Sequence, residues 1–386
     1  MNVLIVTDIR LRTDSERILL EKQFYYIFER YFKYFGPVSV FCGKEKSTNP
    51  VETSDGSRFF KKTIFYSSLS SIIIGKSKKA LLEEIKKSDL VIGRFHSVSA
   101  IVAARFCRKL KKPFLAEVMG DAWDGYWNHG LAGKIVALPI YLGTKKAIKN
   151  ANYALYVTKS FLQKRYPCDG FVTHASNVKL TEIDESALKS RELRIDSMPN
   201  NEITLMTSAN VDVRAKGHKY VIKAIPILKH FGIKVTYYIA GGGDKDYLSK
   251  IAKKYKVYDS VVFLGRLSVD EVFNRIDKTD FYIQPSLQEG VPRAVIEAMS
   301  RGCVCLGAKT GGIPELLGEA FIFKRKSAKS ISQCIVKCLS MDLKVVAHSN
   351  FINSKSFLQS VLDERRNAFF NTVKDNLSAN LNVCDH

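Results

Sequence analysis

The sequence lacks any apolar run close to the roughly 20 residues that a membrane-spanning helix needs. Residues 1–7 are apolar, but Asp8 ends the run, so the N-terminus predicts a first β-strand and not a signal peptide. Eight cysteines are present without any Cys-x-x-Cys spacing, which favours core cysteines in a reducing cytoplasm over zinc ligands or disulfides. We therefore expect a globular protein located in the cytoplasm.

Acidic residues are scarce relative to basic ones, 38 against 60, which gives a formal net charge of +22. Such an excess attracts anionic surfaces, whether nucleic acid or the cytoplasmic leaflet of a membrane. No nucleic-acid-binding module accompanies it, and a solvated helix face explains any single cluster. We predict no nucleic acid partner, but peripheral binding to an anionic membrane surface on its inner face. The basic clusters are Lys76, Lys78, Lys79, Lys86 and Lys87, then residues 108–112, then Lys145, Lys146 and Lys149.

Apolar strands and helical segments alternate along the chain, which is long enough, at 386 residues, for two domains. This alternation predicts an α/β fold with parallel, doubly wound sheets that bind ligands at the carboxyl ends of their strands. The predicted strands are 2–7, 38–42, 90–93, 114–118, 153–157, 171–174, 203–208, 235–240, 261–264, 281–284 and 303–306. The main predicted helices are 15–35, 97–110, 131–150, 220–231, 247–255, 328–339 and 356–377.

Polar residues without periodicity between 177 and 202 predict a break in the chain. The predicted organisation is a first domain at 1–180, a linker at 181–201, a second domain at 202–350 and a terminal helical segment at 351–386.

Residues 281–315 combine a strand, a tight turn and a helix start. Pro292 stands where the first turn of a helix tolerates a missing N–H group. A strand that leads into a helix N-terminus forms an anion site, because unpaired N–H groups and the positive end of the helix dipole face one point. Two carboxylates flank this site: Glu289 in the turn and Glu297 in an apolar helical segment. Glu297 either faces water, as most helical glutamates do, or accepts hydrogen bonds from a ligand such as vicinal ribose hydroxyls.

This stretch resembles the glutamate-seven-glutamate signature of family-4 retaining glycosyltransferases. The matching positions are Pro285-Ser286, Glu289-Gly290, Pro292, Glu297-Ala298-Met299, Gly302 and Gly311-Gly312. The family has the GT-B architecture, in which two Rossmann-like domains face each other across a cleft and a C-terminal helix crosses back to the first domain. The resemblance implies that Glu289 lies beside the donor sugar and that Glu297 holds the ribose. The amides of Gly290 and Val291, at the helix entry marked by Pro292, would meet the diphosphate.

The pair Lys216-Gly217 resembles the lysine-glycine motif of the same family. There, a lysine and an upstream arginine neutralise the departing diphosphate. The segment that usually carries the arginine is 208–210 here and contains none, so Arg214 is the nearest substitute. The resemblance implies a reaction without metal or cofactor, because lysine and helix supply the positive charge and no acidic triplet suits a metal.

The first loop of the chain, residues 8–14, departs from the family. Many members carry a glycine pair here, whereas this chain has Arg10 and Arg12. The two arginines either bind a phosphate of donor or acceptor, or pair with Asp14 and Glu16 without a chemical role. We take Arg10 and Arg12 as candidate acceptor-binding residues.

The segment 117–130, EVMGDAWDGYWNHG, follows a buried strand of the first domain. The family often has a histidine followed by an acid here; Asp121 aligns with the acid, and the histidine is missing. Asp121 is a catalytic candidate that would accept a hydrogen bond from a sugar hydroxyl. Trp123 and Trp127 are candidates for stacking on the apolar face of an acceptor sugar. His129 is nearby, but a lone loop histidine is more often structural than catalytic.

The resemblance implies transfer of a hexose, with retention, from a UDP- or GDP-linked sugar in the second domain. The acceptor is a hydroxyl of a glycan or lipid-linked saccharide bound by the first domain, in cell-surface polysaccharide synthesis. Positioned cations and amides would stabilise an oxocarbenium-like transition state beside the leaving diphosphate, with Glu289 and Lys216 as the main catalytic candidates. Two alternatives are a nucleotide-sugar epimerase of the same fold and a non-enzymatic basic protein that binds anionic polymer.

Overall fold

The computed structural model describes residues 1–14, 17–45, 52–127, 130–199 and 201–384. Within these ranges every helix is too short or too polar to span a bilayer. The chain divides into two compact units, and each is built on its own largely parallel sheet, so the predicted α/β fold class is confirmed. The first unit consists of Met1–Val157, Leu162–Ala175 and Glu364–His386, and the second of Thr158–Phe161 and Ser176–Asp363.

The sheet of the first unit has a parallel body and an antiparallel edge. Its strands in the described residues are β1 (Val3–Asp14), β2 (Arg17–Glu21), β3 (Val38–Lys44), β4 (Thr53–Asp55), β5 (Phe60–Tyr66), β6 (Leu90–Phe95), β7 (Phe114–Val118), β8 (Tyr153–Tyr156) and β9 (Phe171–His174). The parallel order is β5-β3-β1-β6-β7-β8-β9, and β1, β2 and β4 form the antiparallel ribbon.

The helices that precede residue 175 follow the predicted alternation with the strands. They are α1 (Lys22–Phe35), α2 (Leu69–Ile73), α3 (Lys76–Lys86), α4 (Val98–Leu110), α5 (Ala122–Trp127), α6 (Gly130–Lys149) and α7 (Phe161–Arg165), with a 3-10 turn at Ser57–Phe59.

The N-terminal segment differs from the prediction of a loop at 8–14 and a helix from residue 15. The first strand continues to Asp14, β2 returns antiparallel to it, and the helix begins only at Lys22. The reason lies in the alternation within β2, where Ile18 and Leu20 are buried and the residues between them are not. A period of two is typical of a half-buried strand and not of a helix.

The sheet of the second unit is parallel throughout. Its strands are β10 (Glu202–Ser208), β11 (Lys234–Ala240), β12 (Val261–Gly265), β13 (Phe281–Gln284), β14 (Val304–Ala308) and β15 (Ile322–Phe323). Their order is β12-β11-β10-β13-β14-β15, so the direction of chain progression reverses between β10 and β13. Open α/β sheets bind ligands at the carboxyl edge beside such a reversal.

Helices pack on this second sheet around a core that includes Phe281, Ile283, Val304 and Leu306. They are α8 (Glu185–Asp196), α9 (His218–His230), α10 (Asp246–Lys254), α11 (Val269–Asp277), α12 (Arg293–Met299), α13 (Ile313–Leu316), α14 (Ala328–Leu339), α15 (Leu343–Ser354) and the start of α16 (Gln359–Cys384). The 3-10 turns are Arg214–Lys216, Tyr258–Ser260, Glu319–Phe321 and Lys355–Phe357.

The segment 181–201, predicted to be a linker, instead contains α8 and belongs to the second unit. Arg191 on this helix is buried and donates hydrogen bonds to the carbonyl oxygens of Thr279 and Ile276, the latter at 2.8 Å. The helix attaches through a buried arginine more than through an apolar stripe, so its sequence shows no apolar period.

The final helix α16 contributes its residues from Glu364 onward to the first unit, as the GT-B resemblance implies. Phe369 stacks on Phe171 with ring centroids 5.6 Å apart, and Phe370 contacts Tyr34 at 4.6 Å and Phe35 at 5.2 Å. These aromatic contacts bury the helix against the first unit and fix its position.

Candidate active site

Three loops meet at the carboxyl edge of the second sheet, where the strand order reverses. They follow β10, β13 and β14, which are neighbours in the sheet. Backbone hydrogen bonds join them: the N–H of Leu287 donates to the carbonyl of Ala215, and the N–H of Gly312 donates to the carbonyl of Gly290, both at 2.7 Å. The loops therefore form one packed surface at the place where ligands bind in this class of sheet.

Glycines allow the loops to approach this closely. Gly217 has a φ of +77°, and a Cβ there would lie 2.0 Å from the carbonyl oxygen of Pro285. Gly311 has a φ of +55°, and a Cβ there would lie 2.0 Å from the carbonyl oxygen of Glu289. No side chain fits at either position, and only glycine adopts these φ values at low cost.

The two main catalytic candidates form an ion pair across these loops. The Nζ of Lys216 lies 2.8 Å from the Oε1 of Glu289, and the side chains are 31% and 11% exposed. The same Oε1 accepts a hydrogen bond from the Nε2 of Gln284 at 3.1 Å. Two residues selected from separate motifs, 73 positions apart, are thus in direct contact and partly removed from water.

Gln284 belongs to the site although the sequence analysis did not select it. Its amide nitrogen also donates to the Oγ of Ser286 at 2.9 Å, and its amide oxygen accepts from the hydroxyl of Tyr282 at 3.0 Å. The Tyr282 oxygen in turn accepts from the backbone N–H of Ser208 at 3.1 Å. This chain of bonds fixes the Gln284 amide and holds Glu289 in place. The sequence signal that could have identified Gln284 is its position as a polar residue at the end of the apolar strand FYIQ.

Glu297 lies in α12 with its side chain half-buried, and no described residue donates a hydrogen bond to its carboxylate. Burial raises the pKa of Glu297 above its ordinary value, and the charge of Arg293 opposes this only in part. Burial also raises the pKa of Tyr282 well above its ordinary value, and the negative charges of Glu297 and Glu289 add to that rise. Both carboxylates therefore act on the same buried phenol.

The remaining donor-site candidates surround this pair. Pro292 is the N-cap of α12, whereas the sequence predicted it in the first helical turn, one residue later. Gly290 and Val291 precede it in the loop. Arg214 shares a 3-10 turn with Lys216. Its guanidinium lies over the ring of Tyr247, 4.7 Å from the centroid, a cation–π contact that the sequence analysis did not foresee.

Asp121, in the first unit, is held by neighbouring protein groups. Its buried carboxylate accepts hydrogen bonds from the hydroxyl of Tyr166 and from the N–H of Trp123 at 3.0 Å, and it pairs with the Nε of Arg165 at 3.0 Å. Because both carboxylate oxygens are engaged by the protein, Asp121 anchors the start of α5. A hydrogen bond from a sugar hydroxyl to Asp121 stays a prediction, because each carboxylate oxygen can accept more than one hydrogen bond.

Trp123 and Trp127 stack on each other, with ring centroids 5.0 Å apart and planes 16° from parallel. Tyr141 contacts the edge of Trp123, and the ammonium of Lys134 lies 5.5 Å from the ring centroid of Trp127. Among the described residues, Trp123 therefore covers one face of the half-exposed Trp127 and the Lys134 ammonium lies over its ring. His129 lies outside the described residues.

Arg10 and Arg12 lie on β1 and not in a loop. They are two positions apart on a strand, so they share one face of the sheet. Asp14, one of their two predicted partners, instead pairs with Arg17 at 2.9 Å. The other, Glu16, lies outside the described residues.

The second unit matches a known family. Residues 190–352 match the family model described as glycosyl transferases group 1. The Staphylococcus aureus protein CapJ is 35% identical over 335 residues, which cover 84% of this chain and 83% of CapJ. The chain belongs to the glycosyl transferases group 1 family.

Solved structures establish the fold of this glycosyltransferase over its whole length. Sucrose-phosphate synthase from Thermosynechococcus elongatus superposes with a TM-score of 0.64 at 13% identity, covering 99% of both chains. The Anabaena protein HepE in complex with UDP superposes with a TM-score of 0.63 at 15% identity, covering 98% of this chain and 100% of HepE. The predicted GT-B architecture is thereby confirmed.

Two acidic side chains of this glycosyltransferase, Asp8 and Glu315, bind backbone N–H groups of distant segments, and neither contact was predicted. Asp8, at the carboxyl side of the first strand's apolar run, accepts hydrogen bonds from the N–H of Val98 at 2.6 Å and from the Oγ of Ser99 at 2.5 Å. Glu315 accepts from the N–H groups of Lys159 at 2.6 Å and Ser160 at 3.0 Å. Neither role has a local sequence signal, because each partner is far away in the chain.

Proposed function

We propose that this glycosyltransferase is a family-4, retaining hexosyltransferase. It transfers a hexose from a UDP- or GDP-linked sugar to a hydroxyl of a glycan or lipid-linked saccharide in cell-surface polysaccharide synthesis. The observation that carries the proposal is the contact between Lys216 and Glu289 at the reversal point of the second sheet. The UDP named with HepE supports a nucleotide-linked donor in the same fold.

The positive groups of the site suit a departing diphosphate. Lys216 and Arg214 lie on one 3-10 turn, and the backbone of Gly290 and Val291 leads into α12 beside it. Charge that develops on the leaving oxygen is stabilised by cations and amides that are already in place. The bond between the anomeric carbon and the diphosphate oxygen breaks as the acceptor oxygen bonds to that carbon, the proton of the acceptor hydroxyl passes to the departing diphosphate, and no covalent bond to the protein forms.

In this proposal Glu289 binds the sugar end of the donor and Glu297 binds its ribose. Lys216 and Gln284 both contact the Oε1 of Glu289, which leaves Oε2 to accept a hydrogen bond from the sugar. Glu297 receives no hydrogen bond from described residues, so two vicinal ribose hydroxyls would satisfy a carboxylate that burial disfavours.

The acceptor binds the first unit in this proposal. Arg10 and Arg12 share a face of β1 from which both guanidinium groups can bind a phosphate of a lipid-linked acceptor. Trp127, whose ring is backed by Trp123, would contact a sugar at its exposed side, next to the ammonium of Lys134.

The test is turnover of UDP- and GDP-linked sugars by a Lys216→Ala variant. Loss of one group that stabilises developing negative charge lowers turnover by about 100- to 1000-fold. Lys234→Ala is the matched control, because Lys234 pairs with Glu202 at 2.9 Å on the opposite edge of the same sheet, and its turnover should be unchanged. Full turnover by Lys216→Ala, or release of an epimerised nucleotide sugar without acceptor glycosylation, would refute the proposal.

Removal of divalent cations tests the second part of the mechanism. We expect EDTA to leave turnover unchanged, since Lys216, Arg214 and backbone amides supply the charge that a metal would otherwise bring. Loss of turnover that Mg²⁺ restores would contradict a metal-independent reaction.

A further inference from the structure

Helix α6 presents an apolar stripe to solvent. Leu131, Ile135, Leu138 and Leu142 recur at intervals of four, three and four residues, so they share one helical face. Leu131 is 81% exposed and Ile135 78% exposed, and the other two are exposed by about half. The opposite face packs into the first unit through Gly133, Ala137, Thr144, Ala147 and Ile148. Large exposed apolar side chains on one face mark an interaction surface.

The same face continues into a basic region. Lys145 and Lys149 follow the apolar stripe on α6, and the neighbouring α4 adds Arg105, Arg108 and Lys109, all of them exposed. Neither helix contains an aspartate or glutamate. None of these five cations forms an ion pair with a described residue.

A cavity of about 130 Å³ lies between α4 and α6 beside this face. Arg105, Arg108, Lys146 and Asn150 supply its polar lining, and Ile101 and Ala104 contribute to its apolar lining. Cations above an apolar floor suit a phosphate that is joined to hydrocarbon, as in a lipid headgroup.

Both tryptophans of the chain lie just before α6. Trp127 is half-exposed, and the ammonium of Lys134, from the first turn of α6, lies over its ring. Tryptophan and lysine in this arrangement are enriched where protein meets the headgroup region of a bilayer.

We propose that α4 and α6 form a docking surface for an anionic lipid bilayer. The apolar stripe of α6 enters the boundary between headgroups and acyl chains, the exposed cations contact anionic headgroups, and the cavity receives a headgroup phosphate. A second copy of the chain is a poor occupant, because a two-fold contact would place these unpaired cations against one another with no carboxylate from either helix. Binding is measured without turnover, so this proposal and the proposed function can fail separately.

Intrinsic fluorescence tests the location of the contact directly, because Trp123 and Trp127 are the two tryptophans of the chain. The full chain is mixed with vesicles of phosphatidylcholine and phosphatidylglycerol whose acyl chains are brominated. We expect quenching and a shift of emission to shorter wavelength, both weaker on pure phosphatidylcholine. Co-sedimentation with the vesicles without quenching would place the contact elsewhere on the molecule and overturn the proposal.

Paired variants separate the apolar from the electrostatic contribution. Leu131→Ser with Ile135→Ser should weaken vesicle binding by about 100-fold, roughly tenfold for each side chain withdrawn from the interface. Lys145→Ala with Lys149→Ala should weaken binding to anionic vesicles by about 30-fold and leave binding to neutral vesicles unchanged.

The controls carry the same substitutions elsewhere on the surface. Ile74→Ser with Leu193→Ser removes two side chains that are 87% and 71% exposed, and Lys250→Ala with Lys254→Ala removes two exposed lysines of α10. Both controls should bind as the native chain does. Equal binding by every variant would overturn the proposal. So would a dimer, seen in sedimentation velocity, that only the Leu131→Ser, Ile135→Ser variant dissociates.

Discussion

Glu297 is the side chain at which stability and binding oppose each other most clearly. Its carboxylate is half-buried, and burial raises its pKa above the ordinary value of 4.5. The pKa of Glu297 is higher in the folded than in the unfolded state. The protonated side chain therefore makes its full contribution to folding stability at any pH below the ordinary pKa. That contribution is lost as the pH rises through the raised pKa. At neutral pH the charged side chain therefore costs stability, which a ligand that donates hydrogen bonds would recover.

We predict that Glu297→Gln stabilises the protein and weakens donor binding. The midpoint of thermal unfolding should rise relative to the native chain, by about 2 to 4 °C for each kcal/mol gained, and the difference should grow as the pH rises from 4.5. The stabilisation by added UDP or GDP should decrease. Glu319→Gln, on an exposed position, is the control. A variant with lower stability and unaltered nucleotide binding would contradict the role of Glu297.

Gly217 allows a separate test of loop packing. Gly217 and Gly232 have nearly the same positive φ, +77° and +75°, but a Cβ would clash with Pro285 only at Gly217. Gly232→Ala should cost about 1 kcal/mol from backbone strain. Gly217→Ala should cost about 3 kcal/mol in total, because the clash adds to the strain, and turnover should fall as Lys216 moves from Glu289. Equal urea midpoints for the two variants would show that the loops are not tightly packed.

Among the helices, α8 combines two buried apolar residues, Ala187 and Leu188, with a buried arginine, Arg191. Arg191 satisfies the carbonyl oxygens of Ile276 and Thr279 at the end of α11 and beyond it. We predict that Arg191→Met lowers the free energy of unfolding by about 3 kcal/mol, because the buried Thr279 carbonyl loses its charged donor and the Ile276 carbonyl is left with backbone donors alone. Lys189→Met, an exposed position on the same helix, should change it little. If Arg191→Met and the native chain gave identical urea denaturation curves, α8 would only connect segments of the chain and would not stabilise the fold.

The sequence predicts elements well where periodicity decides the structure and poorly where distant contacts decide it. Strand 114–118 and strand 171–174 are predicted to the residue, since each is a short run rich in strand-forming residues beside a clear break. The ribbon of β1 and β2 is missed, because the five residues of β2 are too few to distinguish a period of two from a helical period, and α8 is missed, because a buried arginine leaves no apolar period in it.

The same division holds for the site. Lys216 and Glu289 are found because their motifs include the glycines that bring the loops together. Tyr247 is missed, since its partner Arg214 comes from another segment, and Gln284 is missed although its partners Tyr282, Ser286 and Glu289 are close in the sequence. Local alignment alone selects Asp121, and it gives no sign of the contacts of this residue with Arg165 and Tyr166.

Over the whole chain, each of the two units can have its own unfolding transition, so the midpoints predicted for the Glu297, Gly217 and Arg191 variants are those of the second unit. Tryptophan fluorescence reports the first unit alone, because Trp123 and Trp127 both belong to it. Circular dichroism reports both units. The two probes together can therefore locate a destabilising change.

Phe370 provides the decisive test that the last helix is part of the first unit. Its ring is fully buried against Tyr34 and Phe35, so Phe370→Ala should cost about 3–5 kcal/mol. The transition seen by tryptophan fluorescence should fall by roughly 10 °C, and Asn371→Ala, exposed on the same helix, should not move it. If the fluorescence transition kept its midpoint while circular dichroism showed a transition at lower temperature, the last helix would stabilise a part of the molecule other than the first sheet.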